Sequence, residues 1–391
     1  MDKLQLAYMI PAMEKAIENG ELPGVSALVF QKGKEEFFHA CGAMDMEAGI
    51  PLKRDTLFRI FSMTKPVTAA ATMILMQRGL LSMGTPVSHY LSGFRHQKVA
   101  AAEDLVPARR ETTIRDLLNM TSGLVYPGDD GPAERKMAML FAKTKRNLES
   151  GKPTSTVEFA NRIGRQPLAF HPGDSWRYGT SADVLGAIIE IVANMPFGDF
   201  LRNEIFEPLG MHDTGFYVPQ DKAERFSKLY CMKNGHLEAF LENHLGLNDF
   251  LSPPAFQSGG AGLISTIDDM LCFCRMLLGS GEMDGIRILS PAAAAYMSHH
   301  QLTSKQMEGF NWDSLTGYGY GCFMRILQSP SQSRSFGSAG EFGWDGWTGT
   351  YMTMDPAHEL ILLVMMQKTD SGITDLTWKI RNIVYASTDE H

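Results

Sequence analysis

At 391 residues, with 44% hydrophobic and 20% charged side chains, the chain is long enough for two compact domains or one large domain carrying an insertion. A net charge of −8 without a long basic run argues against nucleic acid as a partner, and no apolar run is long enough to span a bilayer. The five cysteines are an odd number, 25 methionines would be a burden under oxidising conditions, and the start Met1-Asp2-Lys3-Leu4-Gln5 has no secretory pattern, so a cytoplasmic setting is expected.

Leu6 to Glu18 has helical periodicity, and Asn19-Gly20 supplies a stop. Gly24 to Phe30 and Glu36 to Gly42 flank the turn Lys32-Gly33-Lys34 and predict a β-hairpin. A short extended segment, Thr56 to Ile60, leads into Phe61-Ser62-Met63-Thr64-Lys65-Pro66. From Val67 to Arg78 the residues are almost wholly apolar helix formers, and Gly79 marks the end, which predicts a buried helix. Pro66 is tolerated only where its missing N–H has no helical partner, so Ser62 falls at or just before the helix N-terminus.

Beyond Gly79, the segments Ser82 to Leu91, Thr113 to Leu118, Lys136 to Asn147, Val157 to Ile163 and Ala182 to Ala193 read as helices, with few strand signals before Gly215. From about Gly259 the β signal returns. Strands are expected at Tyr318 to Met324, Phe336 to Gly340, Gly349 to Met354 and Leu360 to Met366, the last two forming a hairpin, and a final helix covers Ile373 to Tyr385. The division that follows is a discontinuous α/β sheet domain, residues 1–79 and 255–391, with a mostly helical domain, 80–254, inserted. Cys272 and Cys274 lie in an apolar helical run and read as packing residues, His299-His300 reads as surface, and no metal or cofactor motif is present.

The candidate chemistry starts at Ser62 and Lys65. Three-residue spacing at a helix start puts hydroxyl and amine on one face. Burial disfavours the ammonium, and a neutral amine can take a proton from a neighbouring hydroxyl, which makes serine a nucleophile without histidine. Taken alone, the same four residues also describe an ordinary helix cap beside a solvated lysine.

Two further stretches change that reading. Tyr178-Gly179-Thr180 precedes the apolar helix at Ala182, and Gly343-Trp344-Asp345-Gly346-Trp347-Thr348-Gly349-Thr350-Tyr351 opens a strand. Together with Ser62-Met63-Thr64-Lys65, in this order, they resemble the serine β-lactamase and penicillin-binding-protein superfamily. The phrases Thr113 to Leu124, Phe206 to Thr214 and Gly259 to Leu263 are similar to those of its class C-like branch. The resemblance implies a β-lactamase-like α+β fold, with an antiparallel sheet flanked by helices and the site at the junction with the helical insertion.

Where β-lactamases and D,D-peptidases carry a lysine in the third motif, this chain has Trp344-Asp345-Gly346. The change removes a cation that would hold a substrate carboxylate, and it resembles the family VIII carboxylesterases, although their usual middle residue is glycine rather than Asp345. Trp347-Thr348-Gly349 is a second match to the same motif, and the first is preferred because Gly349-Thr350-Tyr351 then fits the following strand.

The resemblance implies an ester or amide hydrolase acting on a small molecule. Ser62 would be the nucleophile, Lys65 and Tyr178 would move protons, and the main-chain N–H groups of Ser62 and Trp347 would form the oxyanion hole. Trp344, Asp345, Gly346, Thr180, Tyr126 and Tyr318 are candidate substrate contacts, and Trp176 is a candidate wall. A β-lactamase or D-amino-acid/D,D-peptidase-type hydrolase, an acyltransferase and a non-catalytic ligand-binding relative remain the alternatives.

Overall fold

The computed structural model describes residues 1–101 and 104–388. Ten strands frame the site: β1 (Gly24–Gln31), β2 (Lys34–Asp45), β3 (Ile50–Pro51), β4 (Phe58–Arg59), β5 (Ile264–Ser265), β6 (Tyr318–Gly321), β7 (Met324–Leu327), β8 (Phe342–Asp345), β9 (Tyr351–Asp355) and β10 (Leu360–Met366). All but β4 and β5 form one antiparallel sheet in the order β6-β7-β8-β9-β10-β1-β2-β3, so strands from both ends of the sequence meet at the β10·β1 pair. β4 and β5 pair separately and bring the approach to Ser62 against the turn before residue 267.

Successive strand residues point to opposite faces, and β10 shows why its sequence is a continuous apolar run. Leu360, Leu362, Val364 and Met366 pack with α1 (Met9–Glu18) and the final helix, while Ile361, Leu363 and Met365 join the larger core on the other face. That larger core contains α2 (Thr64–Gln77), buried at every residue from Thr64 to Leu75 and ended by Gly79 at φ +73°. The other helices used below are α3 (Pro132–Glu149), α4 (Thr156–Gly164), α5 (Ser181–Ala193), α6 (Ile267–Leu278) and α7 (Asp375–Ala386).

Several expectations need correction. The first helix breaks at Tyr8, because the ring of Pro11 crowds the carbonyl four residues back, at Ala7, and offers no N–H to it. Ser82 to Leu91 is not a helix: a turn closes from the Thr85 N–H to the Ser82 carbonyl, Pro86 holds the chain extended, and the short 3₁₀ turn Val87–His89 follows. A hairpin, Lys98–Ala101 with Asp104–Pro107, lies in the stretch expected to be almost strand-free. Phe336 to Gly340 is a loop, with Phe336 exposed and Gly340 at φ +91°, and the strand begins at Phe342. His299 is exposed as expected, whereas His300 is half-buried and accepts the Tyr320 N–H at Nδ1, 3.1 Å. Cys274 is buried on α6 as expected. No group of potential metal ligands occurs among the described residues.

Candidate active site

Ser62 sits in a single 3₁₀ turn, Phe61–Met63, that runs straight into α2, with Pro66 in the first helical turn as its chemistry requires. Phe61 has φ +40°, a left-handed conformation costly for an aromatic residue, and it is held there by its neighbours. The Ile60 carbonyl accepts from Thr350 Oγ1 at 3.3 Å, and the Arg59 carbonyl from Thr348 Oγ1 at 3.2 Å and Gln367 Nε2 at 2.9 Å. Gln367 also accepts the Arg59 N–H at 3.2 Å. The β8–β9 turn therefore grips the main chain ahead of Ser62. Gly346 is required for that approach, since a Cβ there would stand 2.6 Å from the Ile60 oxygen and collide with the Thr350 hydroxyl.

Lys65 is completely buried; its Nζ donates to Ser62 Oγ at 3.0 Å and to the Gly260 carbonyl at 2.8 Å. Burial pushes its amine down to about 7, against the opposing fields of Asp183 and then Asp345. Asp183, in the first turn of α5, accepts from the Ser258 hydroxyl and from the Gly260 N–H at 3.0 Å, and burial raises its carboxyl. The Lys65 Nζ also lies 4.6 Å from the ring centre of Tyr178 and 5.3 Å from that of Tyr126.

The Tyr178 oxygen accepts Trp344 Nε1 at 3.1 Å, and the Ser62 hydroxyl is among its neighbours. Burial raises the phenol strongly, only partly offset by the Ser62 hydroxyl and the Trp344 indole, so it stays protonated near neutral pH. Asp345, at the end of β8, accepts from Arg325 Nη1 at 3.1 Å. Burial pushes its carboxyl up to about 6 against the pull of Arg325 and Lys65, and the one-fifth of the side chain left accessible tempers that push.

These groups open onto a cavity of about 490 Å³, within the range of small-molecule sites. Ser62, Tyr126, Tyr178, Trp344, Asp345 and Trp347 all line it, so both registers of the third motif bring a tryptophan to the same space. The Trp347 main-chain N–H makes no hydrogen bond among the described residues, and its indole donates to Asp370 at 2.8 Å.

The other expected contacts lie elsewhere. Thr180 is buried at the start of α5 and does not line the cavity, and Gly346 acts through the close approach just described. Tyr318 is buried with its hydroxyl 3.5 Å from Glu341, and Trp176 packs behind Tyr178. The sequence reading missed other walls, among them Phe61, Phe141 on α3, His244 and Leu245 in a short turn, and Trp312. His244 lies flat on Trp347, with ring centres 3.7 Å apart, and burial holds its imidazole down to about 4. Apart from Phe61, which adjoins the motif serine, these residues belong to no motif.

The Beta-lactamase family model matches residues 10–384, and the chain belongs to that family, whose fold it has; in class it is a serine hydrolase. "Protein Rv1367c" of Mycobacterium tuberculosis is 35% identical, covering 91% of this chain and 88% of that protein. "Esterase EstB" of Burkholderia gladioli is 30% identical over 99% of this chain and 97% of its own. Among solved structures, "EstCE1, a hydrolase with promiscuous acyltransferase activity" superposes with a TM-score of 0.81 at 25% identity, covering 98% of this chain and 99% of that one. No single helix is long and apolar enough to cross a membrane among the described residues.

Proposed function

We propose that the chain hydrolyses carboxylic esters of small molecules, and amides less readily, through an acyl-Ser62 intermediate. The observation that carries this reading is the 3.0 Å contact from a fully buried Lys65 amine to Ser62 Oγ. With the amine pushed down to about 7, a large fraction is neutral at physiological pH and able to accept the serine proton. Tyr178 is then a proton carrier in its neutral form: it donates to the departing alkoxide and is replenished from Lys65.

Ser62 Oγ bonds to the carbonyl carbon, the resulting oxyanion rests on the N–H groups of Ser62 and Trp347, and the C–O bond to the alcohol breaks. Water repeats the sequence on the acyl-serine and releases the acid. Each N–H donor is worth about two to three orders of magnitude in turnover. Asp183 is a positioning residue here: it orders the Ser258–Gly260 turn whose carbonyl holds Lys65.

Esters are favoured over β-lactams and peptidyl-D-alanine because the third motif presents Trp344 and Asp345 to the cavity, whereas the nearby Arg325 side chain is wholly buried and bonded to Asp345. Transfer of the acyl group to an alcohol is the second reading, supported by the aromatic walls that would admit an apolar acceptor and by the promiscuous acyltransferase activity of EstCE1. Residues 80–254 are read as the inserted helical unit. The five cysteines are free thiols, which supports a reducing cytoplasmic location.

The test is p-nitrophenyl butyrate turnover together with fluorophosphonate labelling. Both are expected for the native chain, and Ser62→Ala should lose labelling and at least about a thousandfold of kcat. Full activity in Ser62→Ala refutes the mechanism, and nitrocefin turnover above that of the ester refutes the preference for esters.

A further inference from the structure

The cavity answers most of its own charges. Lys65 is held by Ser62 and the Gly260 carbonyl, and Lys145, on α3 at the rim, pairs with Glu242 at 3.4 Å. Asp345 is different. Arg325, wholly buried, reaches only Oδ1, through a single 3.1 Å contact. Among the described residues Oδ2 has no hydrogen-bond donor, although the residue lines the cavity and is one-fifth accessible. A carboxylate oxygen at the edge of an apolar space, without a donor, is costly unless something cationic or hydrogen-bonding completes it.

The surroundings specify which. Tyr126, Phe141, Tyr178, Trp312, Trp344 and Trp347 line the same cavity, and aromatic faces attract cations through the ring quadrupole. Two of these rings already lie 4.6 and 5.3 Å from the Lys65 Nζ, close enough to meet its charge whenever that amine holds a proton. Aromatic walls with one open carboxylate oxygen match an alkylammonium group, whose methyl or methylene surface suits the rings and whose charge suits Asp345. An anionic group would meet that carboxylate instead, and a neutral alkyl chain would leave Oδ2 uncompensated.

We propose that the cavity selects substrates carrying a protonated or quaternary ammonium group, with Asp345 as the specificity-determining residue. The reading rests on the ester hydrolase proposed above. It reverses the sense of the site relative to relatives that hold a substrate carboxylate with a third-motif lysine.

Two matched pairs test it. Butyrylcholine is compared with the uncharged dimethylbutyl ester of butyric acid, and the phenyl ester of trimethylammoniobutyric acid with its tert-butyl carbon isostere; the two place the charge on the alcohol and on the acyl side. In at least one pair kcat/KM should favour the cation by about tenfold, and Asp345→Asn should bring that ratio to within about twofold of unity. The ratio is taken within each variant, so a general loss of activity cancels. Absence of preference in both pairs, with the neutral esters turned over, overturns the inference and leaves the hydrolase reading intact.

Should no ester be turned over, the hydrolase reading falls and binding decides the inference. Saturable quenching of tryptophan fluorescence by tetramethylammonium in the native chain, weakened at least about fivefold in Asp345→Asn, supports it. No quenching by tetramethylammonium overturns it. This measurement on the native chain also serves if Asp345→Asn does not fold.

Discussion

Two sets of buried charges lie along the same sheet and behave in opposite ways. Behind β8 and β9, Arg381 of α7 holds both oxygens of Glu341 at 2.7 and 2.8 Å, with neither side chain exposed. Thr353 donates to Glu341 at 2.9 Å, and the Tyr385 hydroxyl lies 2.6 Å from Glu341 and 2.8 Å from Asp355. Burial would raise the Glu341 carboxyl, but Arg381 pulls it below its ordinary value. At the cavity the balance tips the other way: burial wins, Lys65 falls, and Asp183 and Asp345 rise. Burial thus yields permanent charges where ionic partners answer it and titratable ones where they do not. The first arrangement holds structure, and the second suits proton transfer.

The comparison can be broken at either end. The largest effect is expected at Lys65: Lys65→Met should lower kcat for p-nitrophenyl butyrate by about two to four orders of magnitude. Lys65→Arg should not restore it, because a guanidinium does not surrender its proton. Arg381→Met leaves Glu341 buried without its partner and should cost about 3–5 kcal/mol of unfolding free energy in urea, with a far smaller change in kcat/KM than Lys65→Met. Were Arg381→Met to leave stability unchanged and abolish activity, the contrast would be reversed.

A third check is pH. In the proposed mechanism the amine acts in its neutral form, so kcat/KM should climb tenfold per unit below about 7 and level off above it. Stability carries the complementary sign. Lys65 is depressed from 10.5 when unfolded to about 7 when folded, so between those values the unfolded chain binds more protons. Its contribution to unfolding free energy therefore rises with pH across that window, and it is least favourable below about 7. Denaturation at pH 7 and pH 9 on native and Lys65→Met chains isolates it. The smallest effect belongs to the stack on Trp347: His244→Ala should raise KM severalfold through loss of about 0.5–1.5 kcal/mol, with kcat lowered less.

The sequence made legible what depends on near neighbours. The hairpin of β1 and β2, the apolar β10, the buried helix after Ser62 and the order of the three motifs all rest on local periodicity, turn residues or short spacings. The misses have physical causes of their own. Phe336 and its flanking glycines imitate a strand, yet the pairing partner on β7 takes Phe342 instead. Trp312, Phe141 and His244 reach the cavity only because distant segments fold over it, and no spacing rule encodes that. Asp183 was hidden differently: acids in a first helical turn are common, and only the Ser258–Gly260 turn, 77 residues on at its far end, reveals what it holds.

The amide of Gln367, which brackets the Arg59 main chain across 308 positions of sequence, has a consequence for biosynthesis. A ribosome releases Ser62 and Lys65 early and Gln367 near the end of the described chain, and domains fold as their segments emerge. Until β10 arrives, the residues ahead of Ser62 lack their clamp, and the β8–β9 turn lacks the strand it rests on. The serine is consequently delivered long before the geometry that would arm it, so with Ser62 as the proposed nucleophile a half-made chain carries it dormant rather than as a premature hydrolase.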